Sequence, residues 1–459
     1  MKFKTNLVIG VIFALLSAFV YFHEIKGGQE RREAAERSKR LLDFKESEVN
    51  RLVLVRPEEQ IEIERNGTAW RLLAPVEDGA DGQAVERYVR NVAESEREKV
   101  VADSAEAGSA DVAARYGLDQ PRLKVILQTE SGLLDTLSFG ADAPTDRFTY
   151  VQKSGSNPEI FVVRAWRFDN LDKDVFDLRD RSVLTFGKND VIGATRSGRD
   201  VAGLSLSREG AEWTLVEPGA ARAEQSAIDG LFTKIETSEI VAFVDEAPKE
   251  DDLAEYGLAD RSSIEWSLLI GAERVEKRLA IGRDDGEGRY FARDASRPQV
   301  FLVDSTLVQR LAQNVDALRE KNPLHIDRES IDRIEFERGG SLVFSANRDT
   351  SGTWRLDHPV GEEAKSWKLN ALLTDLQSIE AVGYAATQGG PGQLVVRLQG
   401  GESSAHEVRF HLRDGEIYLE QSDDRSAYRI DPDAFADIDL DFEDVRQKPT
   451  QSDSTSIDG

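Results

Sequence analysis

Three stretches of the chain share one pattern of apolar and polar positions. They are QIEIERNGTAWRLLAPV from Gln60, GLSLSREGAEWTLVEPG from Gly203 and SLVFSANRDTSGTWRLDHPV from Ser341. In each, apolar side chains alternate with polar ones, a Gly-containing turn follows, and alternation resumes. Period-two alternation broken by such a turn predicts a β-hairpin. Each second strand carries a tryptophan (Trp70, Trp213, Trp354) and closes on a proline (Pro75, Pro218, Pro359), and the tryptophans lie 143 and 141 residues apart.

Fifteen residues after each tryptophan the period changes. Val85, Tyr88, Val89 and Val92, then Ile228, Leu231, Phe232 and Ile235, then Leu369, Leu372, Leu373 and Leu376 all run i, i+3, i+4, i+7. That spacing is one apolar stripe on an amphipathic helix, and its recurrence in register marks an internal repeat.

The second halves repeat as well. RYGL at Arg115–Leu118 matches EYGL at Glu255–Leu258, and the alternating strands LKVILQ and IEWSLLI follow. LSFG ending at Gly140 matches LAIG ending at Gly282; RFTYV from Arg147 matches RYFAR from Arg289; EIFVV from Glu159 matches QVFLV from Gln299. LRDRSVLTF from Leu178 pairs with LREKNPLHI from Leu318. The third copy keeps its strands, lacks a YGL segment and is shorter. The expected repeats are 45–186, 187–327 and 328–446, each large enough to bury its own core. Short turns between strands, rather than regular βαβ crossovers, predict an α+β fold: three tandem units of mainly antiparallel sheet with helices on one face. The polar segment 447–459 is expected to be disordered.

Ahead of the repeats, Lys2 and Lys4 precede the apolar run Leu7–Phe22, which Thr5 and Asn6 extend to about 18 residues, within reach of a bilayer span. A cleavable signal peptide would close on small residues, but Leu16 stands two before Ala18 and bulky Phe19, Tyr21 and Phe22 continue the run. The expectation is an uncleaved signal-anchor transmembrane helix over 1–24. Glu33–Arg37 and Glu36–Arg40 at i,i+4 spacing predict a stalk helix over 25–44. A bare count of the basic residues after the span would keep the body in the cytoplasm. Their interleaving with glutamates and the two-lysine start favour export, which places the body on the periplasmic side of the cytoplasmic (inner) membrane.

The charge balance, 59 Lys and Arg against 85 Asp and Glu for a net −26, repels phosphate backbones, so no nucleic-acid partner is expected. With no cysteine, disulfides, thiolate zinc sites and cysteine nucleophiles are excluded. The histidines (His23, His325, His358, His406, His411) form no HExxH motif, and the five-residue spacing of His406 and His411 puts them on opposite faces of a strand. The acidic run Asp431, Asp433, Asp437, Asp439, Asp441, Glu443 and Asp444 lacks the spacing of a calcium loop and reads as solvated helix starts or an edge. Gly389-Gly390-Pro391-Gly392 is a turn, since no Lys follows it to meet a phosphate, and Asn66-Gly67-Thr68 is read as a hairpin turn rather than a glycosylation site. No Walker A sequence, GxGxxG fingerprint or GxSxG elbow is present. No catalytic, cofactor-binding or metal residue is therefore assigned. The repeated tryptophans are read as core anchors rather than a sugar-stacking platform, because each alternates with Leu72, Leu215 or Leu356 on one strand face.

The anchor, the hairpin NGTAWRLLAPV, the helix stripe and the YGL-then-strand step together resemble domain-of-unknown-function family 4340, whose members often carry the description of gliding-motility-associated ABC-transport proteins. The resemblance covers nearly the whole chain and is weaker in the third copy. It implies an ABC-type permease and ATPase as partners, with this chain as an extracytoplasmic accessory. The expected function is a non-enzymatic, membrane-anchored accessory or scaffold acting through protein–protein contacts. The alternatives are a glycan- or polymer-binding envelope module and a hydrolase with an unrecognised carboxylate pair.

Overall fold

In the computed structural model the described residues are 40–448, apart from 43, 146, 156–157, 260–261, 361, 388, 401–403 and 423–425. The expected transmembrane helix 1–24, most of the expected stalk 25–44 and the tail from 449 lie outside them. No helix among the described residues is long and apolar enough to cross a membrane. The chain divides into two compact units, Met1–Arg181 and Ser182–Gly459.

The first unit is one sheet built from β1 (Val49–Val55), β2 (Gln60–Asn66), β3 (Ala69–Ala74), β4 (Asp78–Gly79), β5 (Lys99–Ala102), β6 (Leu123–Thr129), β7 (Leu134–Asp142), β8 (Phe148–Ser154) and β9 (Glu159–Arg164). Their order across the sheet is β4-β3-β2-β1-β6-β7-β8-β9-β5, and every pairing is antiparallel. Gly67, at φ +64°, makes the tight turn between β2 and β3. The helix Gly82–Ala93 begins at Asp81, whose carboxylate accepts the Ala84 N–H at 3.0 Å. Its buried side chains are the predicted stripe Val85, Tyr88, Val89 and Val92. They pack with Trp70, Leu72, Leu52, Ile63, Val125 and Phe139 in one core. Burying each side chain contributes roughly 1.5–3 kcal/mol, so the stripe holds the helix to the sheet.

A smaller apolar cluster lies on the opposite face. Along β9, Phe161 and Val163 join the main core, whereas Ile160 joins Ala102, Ala107 and Leu118. Alternate residues of a strand face opposite ways, so the segment Ala107–Leu118, with its helix Ala110–Arg115, covers the sheet's other side. Helices on one face only, as expected from sequence, is corrected by this cover. Tyr116 packs against Tyr150 at 4.5 Å between ring centroids, with the rings tilted by 46°, and its carbonyl accepts the Ala141 N–H at 2.9 Å. Gly117 turns the chain at φ +67°. A Cβ on Gly140 would fall inside the van der Waals envelope of the Tyr116 carbonyl oxygen. The recurring YGL and strand-end glycine are thus two halves of one contact.

The second unit holds two more such sheets. One contains β10 (Val191–Ser197), β11 (Leu204–Glu209), β12 (Glu212–Glu217), β13 (Ala221–Arg222), β14 (Ala242–Asp245), β15 (Ile264–Ile270), β16 (Val275–Asp284), β17 (Arg289–Asp294) and β18 (Val300–Asp304). Its order, β13-β12-β11-β10-β15-β16-β17-β18-β14, repeats that of the first sheet strand for strand. The helix Gln225–Thr237 buries Ile228, Leu231, Phe232 and Ile235. Tyr256 packs against Phe291 at 4.9 Å between tilted rings, and its carbonyl accepts the Arg283 N–H. The other sheet contains β19 (Arg333–Arg338), β20 (Ser341–Arg348), β21 (Trp354–His358), β22 (Ala381–Ala386), β23 (Leu394–Gly400), β24 (Ser404–Arg413), β25 (Glu416–Gln421) and β26 (Ser426–Ile430), in the order β21-β20-β19-β23-β24-β25-β26-β22. Among the described residues it has no covering segment. Pairing register puts Phe410 where the earlier copies have Phe139 and Ile281, so His411 stands in the place of Gly140 and Gly282. With no carbonyl pressing on the strand, a side chain fits.

Three details differ from the sequence reading. Tyr150 faces Val162 and Phe291 faces Leu302, so the match of RFTYV to RYFAR is one residue out of register. Val183 and Leu184, assigned above to the first repeat, sit in the second core, and Leu324 and Ile326, assigned to the second, sit in the third. Leu41 and Leu42, assigned to the stalk helix, are non-helical and buried in the first core. Each repeat thus begins with a short lead-in that packs before its first strand.

Candidate functional site

The repeated tryptophans are core residues, although one edge of Trp70 reaches a small cavity of about 220 Å³ beside Arg65 and Glu86. Trp70, Trp213 and Trp354 are 4%, 7% and 1% exposed, and Trp354 Nε1 donates to Asn370 Oδ1 at 2.9 Å. The acidic run near the end of the chain is spent on helix starts. Asp431 accepts the Asp433 N–H at 2.8 Å, Asp441 and Asp444 form a capping box, and Arg338 bonds both Asp439 and Asp441. His406 and His411 both lie within β24. Gly389 and Gly390 have positive φ in a loop. Among the described residues no three His, Asp or Glu side chains converge as metal ligands.

The charged face of the third sheet is a cross-strand ladder. Arg397 on β23 bonds Glu337 at 2.5 Å and Glu407 at 2.7 Å. The Arg397 hydrogen bond, followed by burial acting in opposition and the Arg409 hydrogen bond, leaves the Glu407 carboxyl below its usual range. Because the folded value is depressed, the stabilisation is present above the ordinary glutamate range near ~4.3 and is lost as pH falls through the folded value. Arg397→Met should flatten the acid limb of a melting-temperature profile against pH. An unchanged limb in that variant would remove Glu407 as its source.

One arrangement brings separate parts of the chain together around open space. In all three repeats the closing turn returns to the hairpin: Arg179 bridges Ala80, Arg319 bridges Ala223 and Arg446 bridges Ala364. In the first repeat the buried Arg179 binds Asp78 at 2.7 Å. In the third, Arg446 binds Glu362 at 3.1 Å. Both acids stand eight residues after the repeated tryptophan, and there the second repeat has Ala221, followed by Arg222.

Ala221 lines a cavity of about 480 Å³. Its walls come from β12, β13 and the turn between them (Thr214, Leu215, Val216, Ala220, Ala221, Arg222), from the connection Pro323 and His325, and from His406 and Gln421 of the third sheet. The connection is tied on both sides. Glu320 N–H donates to Arg222 O at 3.1 Å, Ala381 N–H donates to Lys321 O at 2.7 Å, and Gln421 Nε2 donates to Pro323 O at 2.6 Å. Tyr384 O–H donates to Glu320 O at 3.1 Å, and burial pushes that hydroxyl up to about 12. His325 Nε2 lies 2.7 Å from Glu320 Oε1. Sequence reading passed over this site; aligning the hairpins residue by residue would have exposed the missing acid at Ala221.

Fold and cavity together define a class: tandem antiparallel α+β sheets, each closing back on its own hairpin, with a pocket at the junction of the last two. The family model described as Domain of unknown function (DUF4340) matches residues 70–250 and again 213–395. Together the two matches span more than half of the chain, and the chain belongs to that family. Each begins on a repeated tryptophan. A comparison with curated proteins found no match.

Proposed function

We propose that this protein is a membrane-anchored, extracytoplasmic accessory of an ABC-type transport system that works by holding partner polypeptides rather than by catalysis. The observation that carries the reading is the division of labour among the tryptophans. Those that recur are buried, whereas Trp166 and Trp367 are 49% and 68% exposed and do not recur. Thr306 takes the corresponding helix position to Trp166 in the second repeat, and Gln83 and Ser226 take that of Trp367. Exposed tryptophan is enriched where proteins meet. A shared scaffold with copy-specific aromatic contacts suits an adaptor, and tandem copies add reach and avidity without new chemistry. The transporter association rests on the family resemblance, and the location on the apolar run Leu7–Phe22. Burial of the recurring tryptophans counts against a stacking platform for glycans.

Affinity capture from detergent-solubilised membranes tests the proposal. The full chain should retain a permease or ATPase polypeptide, and the Trp166→Ala/Trp367→Ala double variant should retain several-fold less while folding normally. Recovery of no transporter component would overturn the association. Protease added to spheroplasts should digest the body, and its protection would overturn the location.

A further inference from the structure

We infer that the cavity between the second and third sheets binds a small organic carboxylate with an apolar body, whose charge takes the place held by Asp78 and Glu362 in the other two repeats. Three independent observations meet here. The first is the exchange itself. An acid–arginine pair closes the first and third repeats, but the second has kept Arg319 and replaced the acid with Ala221. The second is what this leaves behind: Arg319 Nε is buried and, among the described residues, has no hydrogen-bond partner. Asp316 approaches it only to 3.7 Å, and the guanidinium lies over the Tyr384 ring at 5.0 Å. A buried donor left unsatisfied is costly; Arg319 does not itself line the cavity, whereas Ala221, at the place of the missing acid, does.

The third is the charge of the walls. The chain carries 85 acidic residues, yet none lines the cavity, whose ionisable side chains are Arg222, His325 and His406. Arg222 is exposed and has no side-chain partner among the described residues. Glu320, which does not line the cavity, holds His325 through the 2.7 Å contact of Oε1 with Nε2. Leu215, Val216, Ala220, Ala221 and Pro323 supply apolar wall, and the volume is within the range of small-molecule sites. One guanidinium and two imidazoles that can donate hydrogen bonds, set against an apolar wall, select a carboxylate carrying hydrocarbon over a bare inorganic anion. The inference is independent of the transporter association, since it concerns one junction and its ligand.

Calorimetric titration of the full chain with benzoate and octanoate, alongside benzamide and inorganic phosphate, tests it. The carboxylates should bind, and the neutral amide and phosphate should bind at least about tenfold more weakly. Arg222→Ala, a change at an exposed side chain, should leave the melting temperature unchanged and weaken carboxylate binding at least about tenfold. Ala221→Asp should restore the internal pair, raise the melting temperature of the unliganded chain and abolish binding. The inference is overturned if neither carboxylate binds at millimolar concentration, if Arg222→Ala binds as tightly as the parent, or if phosphate matches the carboxylates.

Discussion

Trp213→Ala should destabilise the second repeat by about 3–5 kcal/mol, measured by urea unfolding followed by circular dichroism. The indole is nearly enclosed, and it packs against Phe232 at 5.2 Å between ring centroids. Its backbone also fixes the helix that follows. The Trp213 N–H donates to Gln225 Oε1 at 2.9 Å, and the Trp213 carbonyl accepts from Gln225 Nε2 at 3.1 Å and from the Ala223 N–H at 3.2 Å. Truncation therefore leaves a cavity beneath the first turn of Gln225–Thr237, where the sheet and helix meet. The contrast is Trp367→Ala: the same change at an exposed indole should shift stability by no more than about 0.5 kcal/mol. A loss at Trp213 no larger than that at Trp367 would show that the recurring tryptophan is not a core anchor.

Gly282→Ala should cost about 1–3 kcal/mol, and the loss should be local. Gly282 does not need a left-handed backbone. Its constraint is the Tyr256 carbonyl oxygen, which occupies the space a Cβ would take, with Leu258 Cγ 3.1 Å away on another side. The Arg283 N–H to Tyr256 carbonyl bond, at 3.0 Å, runs beside that contact. A methyl group must push the Tyr256–Leu258 segment off the sheet, breaking this bond and separating Tyr256 from Phe291. Amide hydrogen exchange should then speed up at Arg283 and through Glu250–Leu258, while the core helix Gln225–Thr237 keeps its protection. Unchanged exchange at Arg283 would mean the covering segment does not depend on the glycine. The third repeat is a natural control, since it has His411 at this place and no YGL segment.

What the amino-acid pattern revealed follows from how local each feature is. The helix stripes were legible to the residue, because a 3.6-residue period against one sheet leaves one face to bury: the four side chains named for each helix are the buried ones. The alternating strands around Leu123 and Ile264 were legible for the same reason. Strand order was not, because β5 crosses to pair with β9 at the far edge, and nothing in four residues encodes a distant partner. The covering segment read as a repeated motif without a face, since a six-residue helix is too short to show a stripe. The lead-ins were misassigned, Leu41–Leu42 to the stalk and Val183–Leu184 and Leu324–Ile326 to the preceding repeat, because a break in periodicity marks where a strand starts, not which core the preceding residues enter. The cavity was invisible for a different reason. Ala221 is an ordinary alanine until it is set beside Asp78 and Glu362, and that comparison depends on a hairpin register that only pairing reveals.

The position of β1 bears on how such a chain can gain or lose a copy. In the first sheet β1 and β2 stand between β3 and β6, yet the stretch that the family signature marks out, 70–250, starts after both have passed. What is inherited as a recognisable block and what closes as a sheet are therefore out of phase. The block 70–250 taken alone would hold a first sheet without β1 and β2 and a second without β15 to β18. A break falling between the closing turn and the next lead-in, at Arg181 and Ser182, would pass a whole sheet intact.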